Sequence, residues 1–213
     1  MIESFVFLIA LAYLLGSVPF GVLIATAHGK DLRNIGSGNI GATNVARALG
    51  KKWAYVCFVL DCLKGLVPML IAKLLIGELT VGAMSLWLAV GCAAIAGHIF
   101  PIYLRFKGGK GVATSLGVVM GLYPYYTIPG IIALIIWAGV VLIWRYISLA
   151  SITASVVFPL SLIASIAVLG EWKFLELWPL IVVALVMGLL VIVRHAENIK
   201  RLLEGSEAKV LQK

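Results

Sequence analysis

The chain has 213 residues, of which 62% are hydrophobic and only 12% are charged, and its mean hydropathy is +1.11. Soluble domains are about half apolar and about a quarter charged, and so few charges cannot cover a water-soluble fold of this size. This composition excludes a soluble enzyme, a disordered chain and a coiled coil, and it predicts an integral membrane protein. The net charge is +8, but because no basic run exceeds two residues, nucleic acid is not an expected partner.

A membrane-spanning helix needs about 20 apolar residues. In chain order, the long apolar segments are residues 4–27, 53–76, 81–104, 126–144, 149–169 and 178–193. Gly16, Ser17, Pro19 and Gly21 interrupt the first segment. Residues 112–123 form a further apolar segment that reaches only about 18 Å as a helix, too short for an average bilayer. We therefore predict an all-α polytopic membrane protein with seven transmembrane helices, one of them short, and a single domain over residues 1–213.

The basic residues predict how the chain is oriented. If the N-terminus is outside, 14 of the 17 Lys and Arg residues fall in inner segments. The outer connections then hold Glu3, Glu78, Glu171 and Glu176 against Lys173 alone. Positive charge accumulates on the cytoplasmic side of membrane proteins. The sequence therefore predicts an outer N-terminus and a cytoplasmic C-terminus.

Three polar segments fall on the predicted cytoplasmic side, and the first is NIGSGNIGATNVAR, residues 34–47. Glycine allows backbone N–H groups to turn toward a ligand, and such concavities bind anions. Arg47 is suited to clamp a phosphate with two parallel hydrogen bonds. The alternative is an ordinary flexible loop in which Ser and Asn residues cap a helix.

The second segment is FKGGKGVAT, residues 106–114, where three glycines surround Lys110 at the start of the short helix. A helix N-terminus carries partial positive charge and unpaired N–H donors, which favours an anion site. The segment is not a nucleotide-binding P-loop, because Gly111 rather than Ser or Thr follows Lys110. The alternative is a basic interfacial turn that only anchors the topology, a description that suits Lys107.

The third segment is RHAENIKRLLEGSE, residues 194–207. If the last helix continues into the cytosol, His195 and Asn198 share one face and can hold a substrate hydroxyl and its phosphate. The alternative is a solvated basic tail, which we expect for Lys200 and Arg201.

Isolated polar residues give weaker indications. Asp61 and Lys64 lie within the second apolar segment, where lone charges are costly, and we favour a structural ion pair over a catalytic role. Ser148 either caps a helix or faces the ligand, and His98 is expected to be a hydrogen-bonded packing residue. The sequence shows no Ser-His-Asp set and no Cys/His cluster with metal-ligand spacing, so neither a metal nor another cofactor is expected.

Segments 36–44 (GSGNIGATN), 108–114 (GGKGVAT) and 195–199 (HAENI) resemble the three cytoplasmic motifs of the bacterial acyl-phosphate:glycerol-3-phosphate acyltransferases, the PlsY family. The resemblance extends over the whole chain in length, number of helices and order of motifs. It implies transfer of an acyl group from acyl phosphate to the 1-hydroxyl of glycerol 3-phosphate, giving 1-acylglycerol 3-phosphate (lysophosphatidic acid) and phosphate. This reaction is the first step of phospholipid synthesis.

The resemblance also implies a multi-pass protein of the bacterial cytoplasmic membrane whose active site faces the cytoplasm. Such an enzyme uses neither acyl-CoA nor acyl-carrier protein directly. Its partners are glycerol 3-phosphate, acyl phosphate and the lipid bilayer, with expected functional coupling to the enzyme that makes acyl phosphate.

The resemblance and the residue chemistry together suggest roles for individual residues. The expected catalytic residues are Ser37, Arg47, Lys110, His195 and Asn198. The expected substrate-binding residues are Gly38, Asn39, Asn44, Gly108, Gly109, Gly111, Thr114 and Ser148. Glu207 is expected to be structural.

Acyl phosphate is already activated, so positioning and charge neutralisation matter more than a covalent nucleophile. We therefore expect direct attack by the glycerol hydroxyl without an acyl-enzyme. The base is either His195 or the phosphate of the donor. A different class of function, a membrane transporter for a phosphorylated metabolite, shares the basic face, but all three polar segments lie on one side and no inverted pair of broken helices is evident.

Overall fold

The computed structural model describes residues 2–210, which form α-helices, short 3₁₀ turns and connecting segments, and within that range there is no β-strand. The α-helices are α1 (Ile2–Ser17), α2 (Phe20–Ala27), α3 (Ala42–Leu49), α4 (Lys51–Leu75), α5 (Val81–Ile99), α6 (Val112–Gly121), α7 (Thr127–Trp144), α8 (Ile147–Val168), α9 (Phe174–Arg194) and α10 (Ala196–Leu203). Lys213, counted above among the basic residues of the inner tail, lies outside the described residues.

Within residues 2–210, six segments are long and apolar enough to cross a bilayer: Ile2–Ala27, Lys51–Leu75, Val81–Leu104, Thr127–Trp144, Ile147–Val168 and Phe174–Arg194. They coincide with the six long segments expected from the sequence, within a few residues at each end. Large apolar side chains such as Leu74 and Val168 are more than four-fifths exposed, as expected for surfaces solvated by lipid rather than water. The multi-pass, all-helical prediction is therefore confirmed.

The seventh apolar helix, α6, has 10 residues, which corresponds to about 15 Å along its axis. The short helix expected at residues 112–123 is therefore present, although it ends two residues earlier. Its length is about half the hydrocarbon thickness. The count of seven crossings and the orientation of the termini stay predictions.

The chain divides into two compact units, Met1–Gly121 and Leu122–Lys213. In the first unit α1 packs on α5, and α4 packs on α5 and α6. Small residues allow the close approach of these helices: Gly97 of α5 leaves no room for a Cβ beside the Tyr13 carbonyl of α1, and Gly117 of α6 leaves none beside the Cys62 carbonyl of α4. Glycine at such contacts is typical of helix packing in membranes.

In the second unit α8 packs between α7 and α9. A short turn joins α7 to α8, with Arg145 in the left-handed conformation at φ 64°. The Tyr126 hydroxyl donates a hydrogen bond of 2.7 Å to the Leu180 carbonyl and so fixes the start of α7 against α9. Buried aromatic hydroxyls usually find such partners.

Two local expectations require correction. The first polar segment is not a loop throughout, because α3 begins at Ala42 after the N-cap Gly41 and contains Arg47. The last spanning helix does not continue unbroken through the third polar segment, because α9 ends at Arg194 and α10 begins at Ala196. His195 separates them with φ −101° and ψ 10°, a conformation outside the α-helical region.

Candidate active site

Asn44 organises the first glycine-rich segment. This residue of α3 is only 1% exposed. Its Oδ1 accepts a hydrogen bond of 3.1 Å from the Ser37 N–H, and its Nδ2 donates to the carbonyls of Leu32 and Ile35, both at 2.9 Å. Both N–H groups of the Asn44 amide therefore already have backbone carbonyls as acceptors. The geometry gives Asn44 a role in shaping the loop and fixing the backbone of Ser37, rather than in direct donation to a substrate.

The glycines of this segment allow a tight turn. Gly36 and Gly38 have φ values of +57° and +67°, a region that residues with a side chain rarely adopt. A Cβ at Gly36 would lie 3.0 Å from Cδ of Arg47, so the aliphatic part of that exposed side chain runs directly past the glycine. Asn39 Oδ1 accepts a hydrogen bond of 3.0 Å from the Gly41 N–H, which leads the chain into α3.

The second glycine-rich segment packs against the end of α5. The Gly108 N–H donates to the Ile99 carbonyl at 3.2 Å, and the Gly109 N–H donates to the His98 carbonyl at 3.1 Å. The His98 ring fills the space that a Cβ of Gly109 would need. These two N–H groups therefore have protein acceptors, and the glycines serve close packing. Lys110 follows them directly and is half-buried.

The start of α6 follows Lys110. Gly111 has φ +82° and packs on the side chain of Ile99, and its carbonyl accepts the Ser115 N–H at 2.8 Å. Thr114 lies in the first turn of α6 and is fully buried. Among residues 2–210 its hydroxyl has no hydrogen-bond partner, and its carbonyl and methyl group pack on Gly65 of α4. The predicted binding residue Thr114 thus lies inside a helix contact of the first unit.

In the second unit the carboxylate of Glu207 gathers three side chains. Its Oε1 accepts hydrogen bonds from Ser148 Oγ at 2.7 Å and Asn198 Nδ2 at 2.6 Å, and its Oε2 lies 2.7 Å from Arg201 Nε. Burial raises the pKa of Glu207, but the hydrogen bonds and the Arg201 charge outweigh burial and leave the pKa below its ordinary value. Glu207 is therefore an ionised group that orients Ser148 and Asn198.

The contact with Glu207 corrects the expectation for Arg201, which is half-buried rather than a solvated charge of the tail. The sequence could not reveal this pair, because it depends on the chain folding back after α10. The Ser206 and Glu207 N–H groups donate to the Arg201 carbonyl at 2.8 and 3.1 Å and close that turn. Ser148 contacts Glu207 from the first turn of α8 and is not the N-cap of that helix, which is Tyr146.

His195 is buried at the break between α9 and α10. Its Nδ1 lies 2.8 Å from the Val191 carbonyl, and because a carbonyl only accepts hydrogen bonds, Nδ1 carries the hydrogen. A proton exchanged with a substrate would therefore use Nε2. The His195 carbonyl accepts the Ile199 N–H at 2.9 Å, which keeps His195 and Asn198 at one end of α10 despite the break.

The predicted ion pair between Asp61 and Lys64 is confirmed, with Nζ 2.8 Å from Oδ1. The sequence did not reveal that His98 joins it: its Nδ1 lies 3.6 Å from the same carboxylate oxygen. The three cysteines have free thiols, and within residues 2–210 no group of three or more His, Cys, Asp or Glu side chains could hold a metal ion.

The predicted site residues thus form two groups, one in each unit. The first unit holds Ser37, Arg47 of α3 and Lys110. The second unit holds Ser148 and Asn198 on the carboxylate of Glu207, with His195 at the N-cap of α10. A family model described as glycerol-3-phosphate acyltransferase matches residues 6–205.

The chain belongs to the glycerol-3-phosphate acyltransferase family.

Curated members of this family are similar over nearly their whole length. The glycerol-3-phosphate acyltransferase of Geobacter sulfurreducens is 48% identical over 202 residues, covering 94% of each chain. That of Aquifex aeolicus is 46% identical over 205 residues, covering 94% of this chain and 96% of the relative. The family expected from the three motifs, and with it the class of acyltransferase enzyme, is therefore confirmed.

Solved structures support the same membership. A crystal structure of PlsY (YgiH), an integral membrane glycerol 3-phosphate acyltransferase in its glycerol 3-phosphate form, is 45% identical, with a TM-score of 0.84 over 97% of this chain and 95% of that chain. Its lysophosphatidic acid form gives 44% identity and a TM-score of 0.81 over the same shares. This glycerol-3-phosphate acyltransferase family member is accordingly a multi-pass integral membrane enzyme.

Proposed function

We propose that this acyltransferase moves an acyl group from acyl phosphate to the 1-hydroxyl of glycerol 3-phosphate, giving 1-acylglycerol 3-phosphate and inorganic phosphate. The observation that carries the substrate and product is the similarity, over 97% of the chain, to an enzyme crystallised with glycerol 3-phosphate and with lysophosphatidic acid. The reaction would supply the first acylated intermediate of phospholipid synthesis.

The choice of acyl phosphate as donor rests on the resemblance of the three motifs and on chemistry. An acyl phosphate is a mixed anhydride whose phosphate is already a good leaving group, so the enzyme must mainly position the reactants and neutralise their charge. Arg47 and Lys110 supply two cations on glycine-rich supports of the first unit. These features suit a reaction between two phosphorylated molecules.

In the proposed reaction the hydroxyl of glycerol 3-phosphate attacks the acyl carbon directly, without an acyl-enzyme. The 1-hydroxyl oxygen forms a bond to the acyl carbon, the bond from that carbon to the phosphate oxygen breaks, and phosphate leaves with the electron pair. The hydroxyl proton passes to Nε2 of His195 or to the departing phosphate. A pH profile of kcat/KM for the H195A variant distinguishes these routes, because removal of the general base removes the ionisation that this base contributes to the profile.

Individual residues have separate roles in this scheme. Lys110 and Arg47 neutralise phosphate charge, and Ser37 and Asn198 orient the substrates by hydrogen bonding. The residues that contribute through the shape of the loops and helix starts, or through short polar contacts with substrate, are Gly38, Asn39, Asn44, Gly108, Gly109, Gly111, Thr114 and Ser148. Glu207 stays in a structural role, since its carboxylate already accepts hydrogen bonds from Ser148 and Asn198.

The chain works as one catalytic domain, residues 1–213, in the bacterial cytoplasmic membrane. The excess of basic residues in alternate connections supports seven crossings, an outer N-terminus and a cytoplasmic active site. An active site on that side can receive water-soluble glycerol 3-phosphate while the acyl chain stays in the bilayer. The enzyme that makes acyl phosphate is its expected functional partner.

The direct test is incubation of the purified protein with palmitoyl phosphate and labelled glycerol 3-phosphate. We expect labelled lysophosphatidic acid and phosphate in equal amounts, and no product when palmitoyl-CoA replaces palmitoyl phosphate. R47A and K110A should lose about 100-fold or more in kcat/KM, as for removal of transition-state charge stabilisers. K107A is the matched control, because Lys107 is exposed in the same segment, and it should retain activity.

Each failure has a distinct meaning. Equal rates with palmitoyl-CoA would refute the proposed donor, and near-normal activity of either R47A or K110A would refute the phosphate clamp. A covalent acyl-enzyme trapped with palmitoyl phosphate alone would refute direct attack.

A further inference from the structure

A buried ionic cluster lies in the first unit, formed by Asp61 and Lys64 of α4 and His98 in the last turn of α5. The three residues are 3%, 2% and 5% exposed. Lys64 Nζ and His98 Nδ1 lie 2.8 and 3.6 Å from the same oxygen, Oδ1 of Asp61. Charged groups inside apolar segments are costly, and those that persist there usually serve a function. The reaction proposed above does not use this cluster.

The cluster contacts the second glycine-rich segment through His98. The His98 carbonyl accepts the Gly109 N–H at 3.1 Å, and the His98 ring lies against the Gly109 backbone where no Cβ would fit. Gly108 is held in parallel by the Ile99 carbonyl at 3.2 Å. Lys110 is the next residue after Gly109. The position of the His98 ring and of the last turn of α5 therefore fixes the position of the Lys110 backbone.

The cluster also contacts the break between α1 and α2, and the start of α2 packs on the first glycine-rich segment. Lys64 Nζ donates a hydrogen bond of 3.0 Å to the Val18 carbonyl, in the break between α1 and α2, and lies 5.7 Å from the ring centroid of Phe20. In the first turn of α2, Gly21 packs so closely on the Ile40 carbonyl that a Cβ would not fit. Ile40 belongs to the segment that carries Ser37. One ionic cluster thus contacts the second glycine-rich segment directly and the first through the α1–α2 break and the start of α2.

We propose that the ionic cluster positions the glycine-rich segments for glycerol 3-phosphate, with His98 as the positioning residue that acts through Gly109 on Lys110. Asp61 orients the His98 ring, and Lys64 links the same carboxylate to the α1–α2 break. This inference rests on the proposed role of Lys110 in phosphate binding. None of the three cluster residues is required to touch a substrate.

A positioning role differs measurably from a packing role. If the cluster only stabilises the fold, its variants lose folded enzyme, so kcat per total protein falls while the KM of the remaining enzyme is unchanged. If it places Lys110, the variants bind glycerol 3-phosphate more weakly, and saturating substrate restores much of the rate. The KM for palmitoyl phosphate serves as an internal reference.

The experiment compares H98A, H98Q and D61N with the wild-type enzyme in detergent. For H98A we expect an increase of about tenfold in the KM for glycerol 3-phosphate, with the KM for palmitoyl phosphate within about twofold, a typical coupling between positioned groups. H98Q should recover part of the affinity, because its amide can fill the space beside Gly109. The matched control H28A replaces an exposed histidine whose ring contacts the Ile24 carbonyl and the Trp53 ring, and it should change neither constant.

Coupling within the cluster gives a second readout. D61N should raise the same KM, and the increase in H98A/D61N should be smaller than the product of the two single increases, because the effects of residues that share a contact are not additive. Wild-type values for the KM of glycerol 3-phosphate in folded H98A and D61N would overturn the proposal. So would aggregation of all three single variants beside a folded H28A, because the cluster would then be a folding element.

The K110A variant separates this inference from the proposed function. If K110A keeps wild-type activity, the phosphate clamp itself fails. If K110A is inactive while H98A and D61N keep wild-type KM values, only the positioning role fails.

Discussion

The carboxylate of Glu207, in the turn after α10, orders the side chain of Ser148 from α8 and those of Asn198 and Arg201 from α10. The E207Q substitution keeps the shape of the side chain. It places an amide N–H₂ group, which donates hydrogen bonds, opposite side chains that also donate. Hydrogen bonds to charged groups contribute about 1.5–3 kcal/mol each, so we expect kcat/KM to fall at least about tenfold. The assay is lipid formation from palmitoyl phosphate.

The control for this variant is E204Q. Glu204 is exposed, and its nearest cation, Lys200 Nζ, is 3.9 Å away, a surface pair that contributes little. E204Q should therefore retain full activity. Unchanged kcat/KM in E207Q would show that the orientation of Ser148 and Asn198 does not depend on the carboxylate.

The same carboxylate predicts a direction of pH dependence. The folded protein lowers the pKa of Glu207 below its ordinary value of 4.5. A group with a lowered pKa contributes stability above its ordinary pKa and loses it as pH falls through the folded value. The difference in thermal unfolding temperature between wild type and E207Q should therefore be constant at neutral pH and shrink below about pH 4.5. A difference that grows on acidification would contradict the assigned ionisation.

At individual positions the sequence predicted residue types better than contacts. The Asp61–Lys64 pair could be predicted because a spacing of three residues along one helix places the two side chains together. The hydrogen bond of the Gly109 N–H could not be predicted from the sequence. Its acceptor is the carbonyl of His98, and the two groups meet only because the chain folds back after α5. Arg201 was misjudged for a similar reason, since its partner Glu207 arrives from the turn that follows α10.

Among the helices, α6 depends on glycine for its position. Gly117 lies against the Cys62 carbonyl of α4 with no room for a Cβ. G117A should therefore force the two helices apart, at a cost of about 1–3 kcal/mol for overpacking, and lower the thermal unfolding temperature in detergent. G139A is the matched control, because Gly139 lies inside α7 with nothing within 4 Å of its added Cβ.

The two substitutions should have different effects on the thermal unfolding temperature. Alanine is the better helix former, so G139A should leave stability unchanged or slightly raise it. A G117A protein as stable as wild type would show that α6 can separate from α4 without loss.

Spanning helices were predictable because the bilayer imposes a length and a composition that are visible in any window of the sequence. The helix α3 was missed because its polar residues were interpreted by their chemistry, although Gly41 and the spacing of Val45 and Leu49 are compatible with a short amphipathic helix. The end of α9 at Arg194 was missed for another reason. Nothing in the residue types around His195 forbids a continuous helix, and the break depends on local hydrogen bonds to carbonyls of the preceding turn.

For the whole molecule, the topology must be consistent both with the distribution of basic residues and with the short length of α6. With seven crossings, successive connections alternate between a basic and an acidic side, as the positive-inside rule requires. If α6 does not cross, every connection after it changes side, and the basic residues that follow α9 face outward. A helix of about 15 Å can cross only if the bilayer thins locally or the flanking residues complete the path.

Single cysteines introduced into a variant without the native thiols test this topology. Lys107 and Tyr123 flank α6 and are exposed, as are Lys173 and Ser206 in later connections. If α6 crosses, a membrane-impermeant maleimide added to intact spheroplasts should label Y123C and K173C, while K107C and S206C react only after permeabilisation. Protection of Y123C together with labelling of S206C would mean that α6 re-enters the same side, with six crossings in all. The basic C-terminal tail would then face outward, against the charge rule, and the third polar segment could not share the cytoplasmic side with the other two.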